Sequence, residues 1–401
     1  MKNKTIATMN NMKRISSLMI CLVVFISTKA QNAEPEKNDN YQFSTTKNLP
    51  ATPVKDQYKS GTCWSFATTS FIESELLRLD YDTTDISEMF FVYHTYIEKA
   101  GQYVRLHGSA NFGPGGQAHD VLNVIKSQGF LTEEEFPGLI RGEEKHKHGE
   151  LDAILKAYLD ALVSAKDGKL SKVWQDAFKS LLDTYLGNPD VIRKVSAERF
   201  PRFNPDDYIE LTSYSHHPYY RLIDLEIPDN WSHDLYYNLP VDELMEVIGY
   251  SLNNDYTVCW DGDVSDKGFS HANGVAIVPE KDSKALEGTE RARWEKLSEK
   301  DKNAELYNFK QPGKEKEITQ EMRQSAFDNF QSTDDHLMHI TGMVTDQRGN
   351  RYYVTKNSWA ANSNETGGYL NMSEAYLRLN TIAVMVHKNA LPATIKKKLK
   401  L

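Results

Sequence analysis

Three cysteines in 401 residues are too few to build a disulfide scaffold. Cys21 lies in an apolar stretch near the N-terminus, which leaves Cys63 and Cys259 for the rest of the chain. No HExxH pattern and no paired-cysteine spacing occur, so the expectation is a protein with no metal site and no cofactor. A net charge of -9 is the wrong sign for a nucleic-acid binder, whose surface must neutralise phosphates. The basic run Lys396-Lys397-Lys398-Leu399-Lys400 is confined to the last residues and reads as a solvated tail over 396–401. Internal repeats and low-complexity tracts are absent. What is present, 40% hydrophobic, 26% charged and 11% aromatic residues, is the composition of a soluble globular protein.

The first thirty residues read as a targeting segment. Lys2, Lys4, Lys13 and Arg14 form a basic region, an apolar stretch runs from Ile15 to Ser27, and Thr28-Lys29-Ala30 supplies small residues for cleavage. The apolar stretch is short for a membrane span, so the expectation is a signal peptide over 1–30 rather than a retained anchor. A lipoprotein site at Cys21 is disfavoured by Ile20 before it. The resulting expectation is an exported protein, periplasmic or extracellular, with no stable membrane insertion once the signal is removed. Residues 31–42 read as a flexible lead-in.

The stretch Thr52 to Phe71 carries most of the chemical information. Cys63 opens a helix-forming run, and a thiol in the first turn of a helix faces the positive end of its dipole. Gln57, six residues upstream, can offer a side-chain amide to a developing oxyanion. The competing reading is a buried structural cysteine beside a core tryptophan, Trp64. A Cys63–Cys259 bridge is also open at this point and would abolish a thiol mechanism.

Helical periodicity continues from Cys63 to about Leu77. A second helix is expected over Ser87–Lys99 with Ser87 as N-cap, and a third over Ala118–Gln128. Between them lies Gly113-Pro114-Gly115-Gly116-Gln117. It is either a simple turn or a place where substrate backbone approaches closely, for which glycine leaves room. Two leucine-rich stripes make a helical insertion over about 149–190. Residues 200–237, rich in Pro and Tyr, read as an irregular surface connector, and 280–325 as exposed helix and loop. The C-terminal third turns to strands. His336–Val344 and Arg351–Lys356 flank a DQRGN turn. Helices first and strands later give an α+β fold with a cleft between two lobes.

A thiolate nucleophile needs a base, and the base needs an orienting partner. His336 opens one strand of the hairpin and Asn357 ends the other, so the open ends of the strands bring them side by side. Trp359 can cover their hydrogen bond from water. The set Cys63, His336 and Asn357 is one of the convergent variants of the hydrolytic triad. Ser270-His271-Ala272 resembles the surroundings of a catalytic histidine, but no Asn-Ser-Trp follows it. His339 lies on the opposite strand face from His336. His216 and His217 read as surface or packing residues.

Gln57, the Ser60-Gly61-Thr62-Cys63-Trp64 block, His336 and Asn357-Ser358-Trp359 occur in the order seen in papain-like cysteine peptidases, which the chain resembles. The likeness is nearer to the bleomycin hydrolase / aminopeptidase C branch. It rests further on Gly115-Gly116-Gln117, on Gly262-Asp263-Val264 and on the helical insertion, and extends over residues 43–395. The resemblance implies a papain-like two-lobed fold and hydrolysis of peptide substrates through a thioester. It assigns Cys63 as nucleophile, His336 as general base, Asn357 as its orienter, and Gln57 with the Cys63 N–H as oxyanion hole. Gly115, Gly116, Trp64 and Trp359 would contact substrate. It also implies a ring-shaped homohexamer. Ala360 stands where the family usually has glycine. The chain also ends shorter than relatives whose C-terminal arm restricts cleavage to N-terminal residues, which leaves aminopeptidase and endopeptidase modes both open. A peptide-binding scaffold without turnover is the reading from a different class.

Overall fold

The computed structural model describes residues 40–139, 142–166, 169–191, 199–280 and 288–401. The expected signal segment lies outside them, as does most of the lead-in. Residues 40–42 are described, and they are held: Tyr41 stacks on Phe43 and meets the edge of Tyr352, and the Gln42 N–H donates to Gln347 Oε1.

Helix α1 (Cys63–Arg78) is the central helix, buried along nearly its whole length. Helices α2 (Glu88–Arg105) and α3 (Ala118–Gln128) pack on it. The Ser87 hydroxyl caps α2 by accepting from the Phe90 N–H, as an N-cap serine should. The insertion folds as α4 (Gly149–Ser164) and α5 (Trp174–Leu186). Their buried stripes, Leu151, Leu155, Leu159 and Phe178, Leu182, Leu186, close one core with α1 and α2.

The second lobe is an eleven-stranded sheet. Strands β5 (Val258–Gly262), β8 (His336–Thr345), β9 (Arg351–Lys356) and β10 (Tyr369–Ser373) lie side by side, all antiparallel. β11 (Thr381–His387) joins on the far side of β5, and β7 (Val275–Ala276) joins β10 in parallel. Strand β1 (Ser44–Asn48) also pairs β8, so the N-terminal segment contributes to the second lobe. α1 lies against β8 and β5, which places its N-terminus beside the start of β8.

Two expectations change. Residues 200–237 are more than a connector: β2 (Tyr208–Thr212), β3 (Leu222–Asp224) and β4 (Leu235–Asn238) extend the same sheet beyond β11. β2 was hidden because it joins the sheet through β11, more than a hundred residues away, while β3 and β4 are short strands that pair with each other. The basic C-terminus is a helix (Ala393–Leu399), with its lysines toward solvent but Ile395 and Leu399 buried in the core that also holds Leu244 and Val247. Lys398 pairs with Glu243 at 2.7 Å. Among the described residues, no helix is long and apolar enough to cross a membrane.

Candidate active site

Cys63 is the first residue of α1 and is 8% exposed. The loop before it is fixed by its own packing. Gly61 has φ +69, and a Cβ there would lie 2.8 Å from Pro114. The Trp64 indole N–H donates to the Pro114 carbonyl at 2.9 Å. At Gly116 a Cβ would meet the Trp64 ring at 3.0 Å, and at Gly115 the Asp229 carboxyl at 2.0 Å. These glycines therefore admit close approach by Asp229 at Gly115 and by Asp120 and Trp64 at Gly116. Trp64 is fully buried beneath the loop. Trp64, expected to contact substrate, forms a wall of the core and anchors the Gly113–Gly116 loop.

His336 opens β8 and is 4% exposed. Its Nε2 lies 2.8 Å from Asn357 Oδ1, just past the end of β9. The next backbone N–H on β8, that of Leu337, hydrogen-bonds the Cys63 sulfur. His336 and Asn357 thus bond each other at the open end of the hairpin, and Cys63 at the helix N-terminus lies against the next residue of β8. Trp359 covers the pair, its ring centroid 4.9 Å from that of His336 and tilted by 34°.

Gln57 joins the same strand end. Its backbone N–H donates to the Ser358 carbonyl at 2.8 Å, and the Ser358 hydroxyl donates to Gln57 Oε1 at 2.6 Å. The carboxamide oxygen is held by that bond, which turns the –NH2 donor outward from Ser358. Ala360 takes φ +69, the left-handed region that favours glycine, so the departure at this position carries backbone strain.

Burial governs the proton affinities here. It pushes the Cys63 thiol up to about 12, and the carboxyls of Asp261, Asp229 and Asp334 add to the rise; the Leu337 N–H opposes it. Burial lowers His336 to about 4, with Asn357 opposing. Both shifts favour the neutral thiol and neutral imidazole in the resting site. Cys63 and Cys259 are both free thiols, so the bridge between them is not formed.

The rejected histidines separate clearly. His339 is fully buried and bonds Ser70 Oγ at 2.9 Å, on the helix-facing side of β8. His216 and His217 share Glu226 on the surface, their donor atoms grouped closely enough to hold a cation. Gln324, however, donates its amide N–H to His216 Nδ1, which leaves the proton on the Nε2 that a metal would need. His271 is different. It touches the site, with Nδ1 3.3 Å from Asn357 Nδ2. The sequence motif around it was visible, but its contact with Asn357 depends on the non-local pairing of β7 with β10.

The acidic groups were also missed. Asp261 on β5, Asp334 before β8 and Asp229 in the β3–β4 loop lie in one network, with Gln117 Nε2 donating to both Asp334 oxygens at 3.1 and 3.2 Å. Asp261 is raised well above the ordinary carboxyl range by burial and then by Asp334.

Two family models match the chain, one over its N-terminal part and one over its C-terminal part. The papain family cysteine protease model covers residues 35–167, and the peptidase C1-like family model covers residues 295–401. The chain is a papain-like C1 cysteine peptidase. It is similar to cysteine proteinase 1, mitochondrial, of Saccharomyces cerevisiae, at 21% identity over 90% of this chain and 80% of the relative, in strains JAY291 and S288c alike. That full-length alignment puts the likeness on the bleomycin hydrolase / aminopeptidase C side of the family. Among solved structures, PepW from Lactobacillus rhamnosis HN001 superposes with a TM-score of 0.66 at 19% identity, covering 89% of this chain and 84% of that one, which shows the α+β papain-like fold.

The expectation of export is corrected by the same comparison. The curated relatives aligned over 90% of the chain are named mitochondrial, which points to an intracellular setting. The reason for the misreading is physical: a basic, Ser- and Thr-bearing N-terminus free of acidic residues before Glu34 suits organellar as well as secretory targeting.

Proposed function

We propose that this peptidase removes residues from the N-termini of peptides, with Cys63 as nucleophile, His336 as general base and then acid, and Asn357 as the residue that orients His336. The observation that carries the reading is the His336 Nε2–Asn357 Oδ1 hydrogen bond beside a sulfur that accepts the very next backbone N–H. Donation from Nε2–H leaves Nδ1 as the basic nitrogen. The thiol proton passes to Nδ1 while sulfur bonds the scissile carbonyl carbon, and the carbonyl oxygen becomes an oxyanion. Gln57 Nε2–H and the Cys63 N–H, a first-turn amide with no intrahelical acceptor, would stabilise it. Collapse expels the amine, which takes the proton from His336, and leaves a thioester. Water then gives a proton to His336 and its oxygen to the acyl carbon, and the thiol is restored.

The acidic wall supports the N-terminal mode. Asp229, Asp261 and Asp334 raise the thiol, so a substrate ammonium seated among them would lower it at the moment of attack. The C-terminal helix, docked by Ile395 and Leu399, is held by its own packing. The implied homohexamer belongs to the proposal and is read directly by analytical ultracentrifugation.

Paired fluorogenic aminoacyl amides, one with a free and one with an acetylated α-amine, test the mode. The free amine should be cleaved and the acetylated form at least about tenfold more slowly, consistent with loss of a charge-assisted contact. Cys63→Ala should abolish both. Efficient cleavage of the acetylated substrate, or internal cuts in peptides, would replace the aminopeptidase reading with an endopeptidase of the same mechanism. Gln57→Ala should lower kcat by about 10²–10³.

A further inference from the structure

Asn357 does not end at His336. Its Oδ1 accepts from His336 Nε2 and from the Ser358 N–H at 2.7 Å, while its Nδ2 faces His271 Nδ1 at 3.3 Å. Beyond that, His271 Nε2 lies 2.7 Å from Ser363 Oγ, and the Ser363 hydroxyl donates to the Ala360 carbonyl at 2.6 Å. The directions of these bonds are forced from both ends. A carbonyl can only accept, so Ser363 Oγ donates to Ala360 and accepts from His271 Nε2–H. His271 is then the tautomer with a bare Nδ1, which accepts from the Asn357 amide. That acceptance holds the carboxamide with its oxygen toward His336. Asn364 fixes the His271 backbone by donating to its carbonyl at 2.9 Å, and the Trp359 ring lies 4.9 Å from both histidine rings.

We propose that His271 is a positioning residue that sets the orientation of Asn357, and that protonation of His271 switches the base off. With a proton on His271 Nδ1, two donors face each other across the Asn357 amide. The amide relieves this by turning over, giving up the Ser358 N–H bond to Oδ1, and presents Nδ2–H to His336. His336 must then accept at Nε2 and carry its proton on Nδ1, the atom that has to be empty to take the Cys63 proton. The only covalent change in the switch is the N–H formed on His271 Nδ1 with a proton from water; the hydrogen bonds to Asn357 Oδ1 are exchanged.

The surroundings leave His271 as the group that titrates. The rings and side chains packed on it are Trp359, Asn357, Ser363 and Asn364, none of them charged, and His336 is the titratable neighbour. Burial alone displaces the His271 proton affinity, downward, and no carboxylate contributes. A charge on His271 also lowers His336 further. Among the described residues the arrangement is thus a one-way chain ending on a half-buried histidine open to protons from solvent.

The inference rests on His336 and Cys63 acting as proposed above. The test is the pH profile of kcat/KM, and of Cys63 alkylation by iodoacetamide, for the full-length protein and two variants. His271→Gln can still accept from Asn357 but cannot titrate. It should keep kcat/KM near the unsubstituted value at neutral pH and lose the acid-side transition, so that activity persists to lower pH. His271→Ala removes the acceptor and should lower kcat about five- to tenfold with KM unchanged, at unaltered thermal stability. An acid limb identical in His271→Gln and the unsubstituted protein would overturn the proposal. So would a His271→Ala effect confined to KM. Hydrolysis that survives Cys63→Ala would instead overturn the parent reading, which keeps the two failures distinct.

Discussion

Two buried charge networks flank the N-terminal turns of α1, and they are built on opposite plans. Beneath the helix, Lys55 Nζ meets Asp85 at 2.5 Å, Glu88 at 2.7 Å and Glu73 at 3.8 Å. Lys356 donates to Ser70 Oγ at 2.7 Å and to Thr52 Oγ1 at 3.0 Å. Cations and anions interleave there. On the cleft side, Asp229, Asp261 and Asp334 gather with Lys99 as their nearest cation. Lys99 gives its hydrogen bonds to the carbonyls of Gly113 and Gly115 at 2.8 and 2.5 Å. Burial raises Glu73 to about 7 even with Lys55 pulling it down, and raises Asp334 to about 7 with a neighbouring carboxyl pushing the same way. The first network holds the helix in place. The second stores electrostatic cost beside the nucleophile, where a cationic substrate can relieve it.

The comparison can be broken most forcefully at Lys55. Lys55→Met leaves Glu73 and Glu88 buried without their cation, and should cost about 3–5 kcal/mol in urea unfolding. Stability unchanged within error would mean the lower network is not structural. The next effect is opposite in kind. Asp229→Asn removes a carboxyl that raises the thiol and that Lys99 helps keep charged, so Cys63 should be alkylated up to about tenfold faster at fixed neutral pH, as a one-unit fall in its pKa requires. Slower alkylation would contradict the sign of the field. The smallest effect is a slope. Asp334 holds its proton up to about 7 when folded and to about 4 when unfolded, so the native state binds the extra proton between those values. Unfolding free energy therefore falls as pH rises through that window, and Asp334→Asn should flatten the fall by about 1 kcal/mol or more. An unaltered slope would place the titration elsewhere.

What could be read from the chain alone follows the range of the interactions. The α1 start at Cys63, the Ser87 cap and the β8–β9 hairpin are local, and each carries its own signal in caps, periodicity and turn residues. The hairpin also brings His336 and Asn357 together, since strand ends joined by a short turn fix their own register. The strands in 208–238 were hidden, because β2 reaches the sheet through the remote β11, and β3 and β4 are only three and four residues long in a segment broken by proline. The acidic wall was hidden for the same reason: its three carboxyls come from separate segments that only the closed fold assembles. His271 illustrates both sides. Its local motif drew notice, yet the parallel pairing of β7 with β10 is what puts it against Asn357. Gly115 and Gly116 were visible as special positions, but not which atoms press on them.

The most direct test of a Cys63 acyl-enzyme is intact-mass and peptide-mapping spectrometry of acid-quenched enzyme, seconds after mixing with a slow aminoacyl ester. The account predicts an adduct of one acyl residue, carried on the peptide that contains Cys63, lost with time and absent from Cys63→Ala. Ester turnover at an equal rate in Cys63→Ala, with no adduct on that peptide, would contradict it.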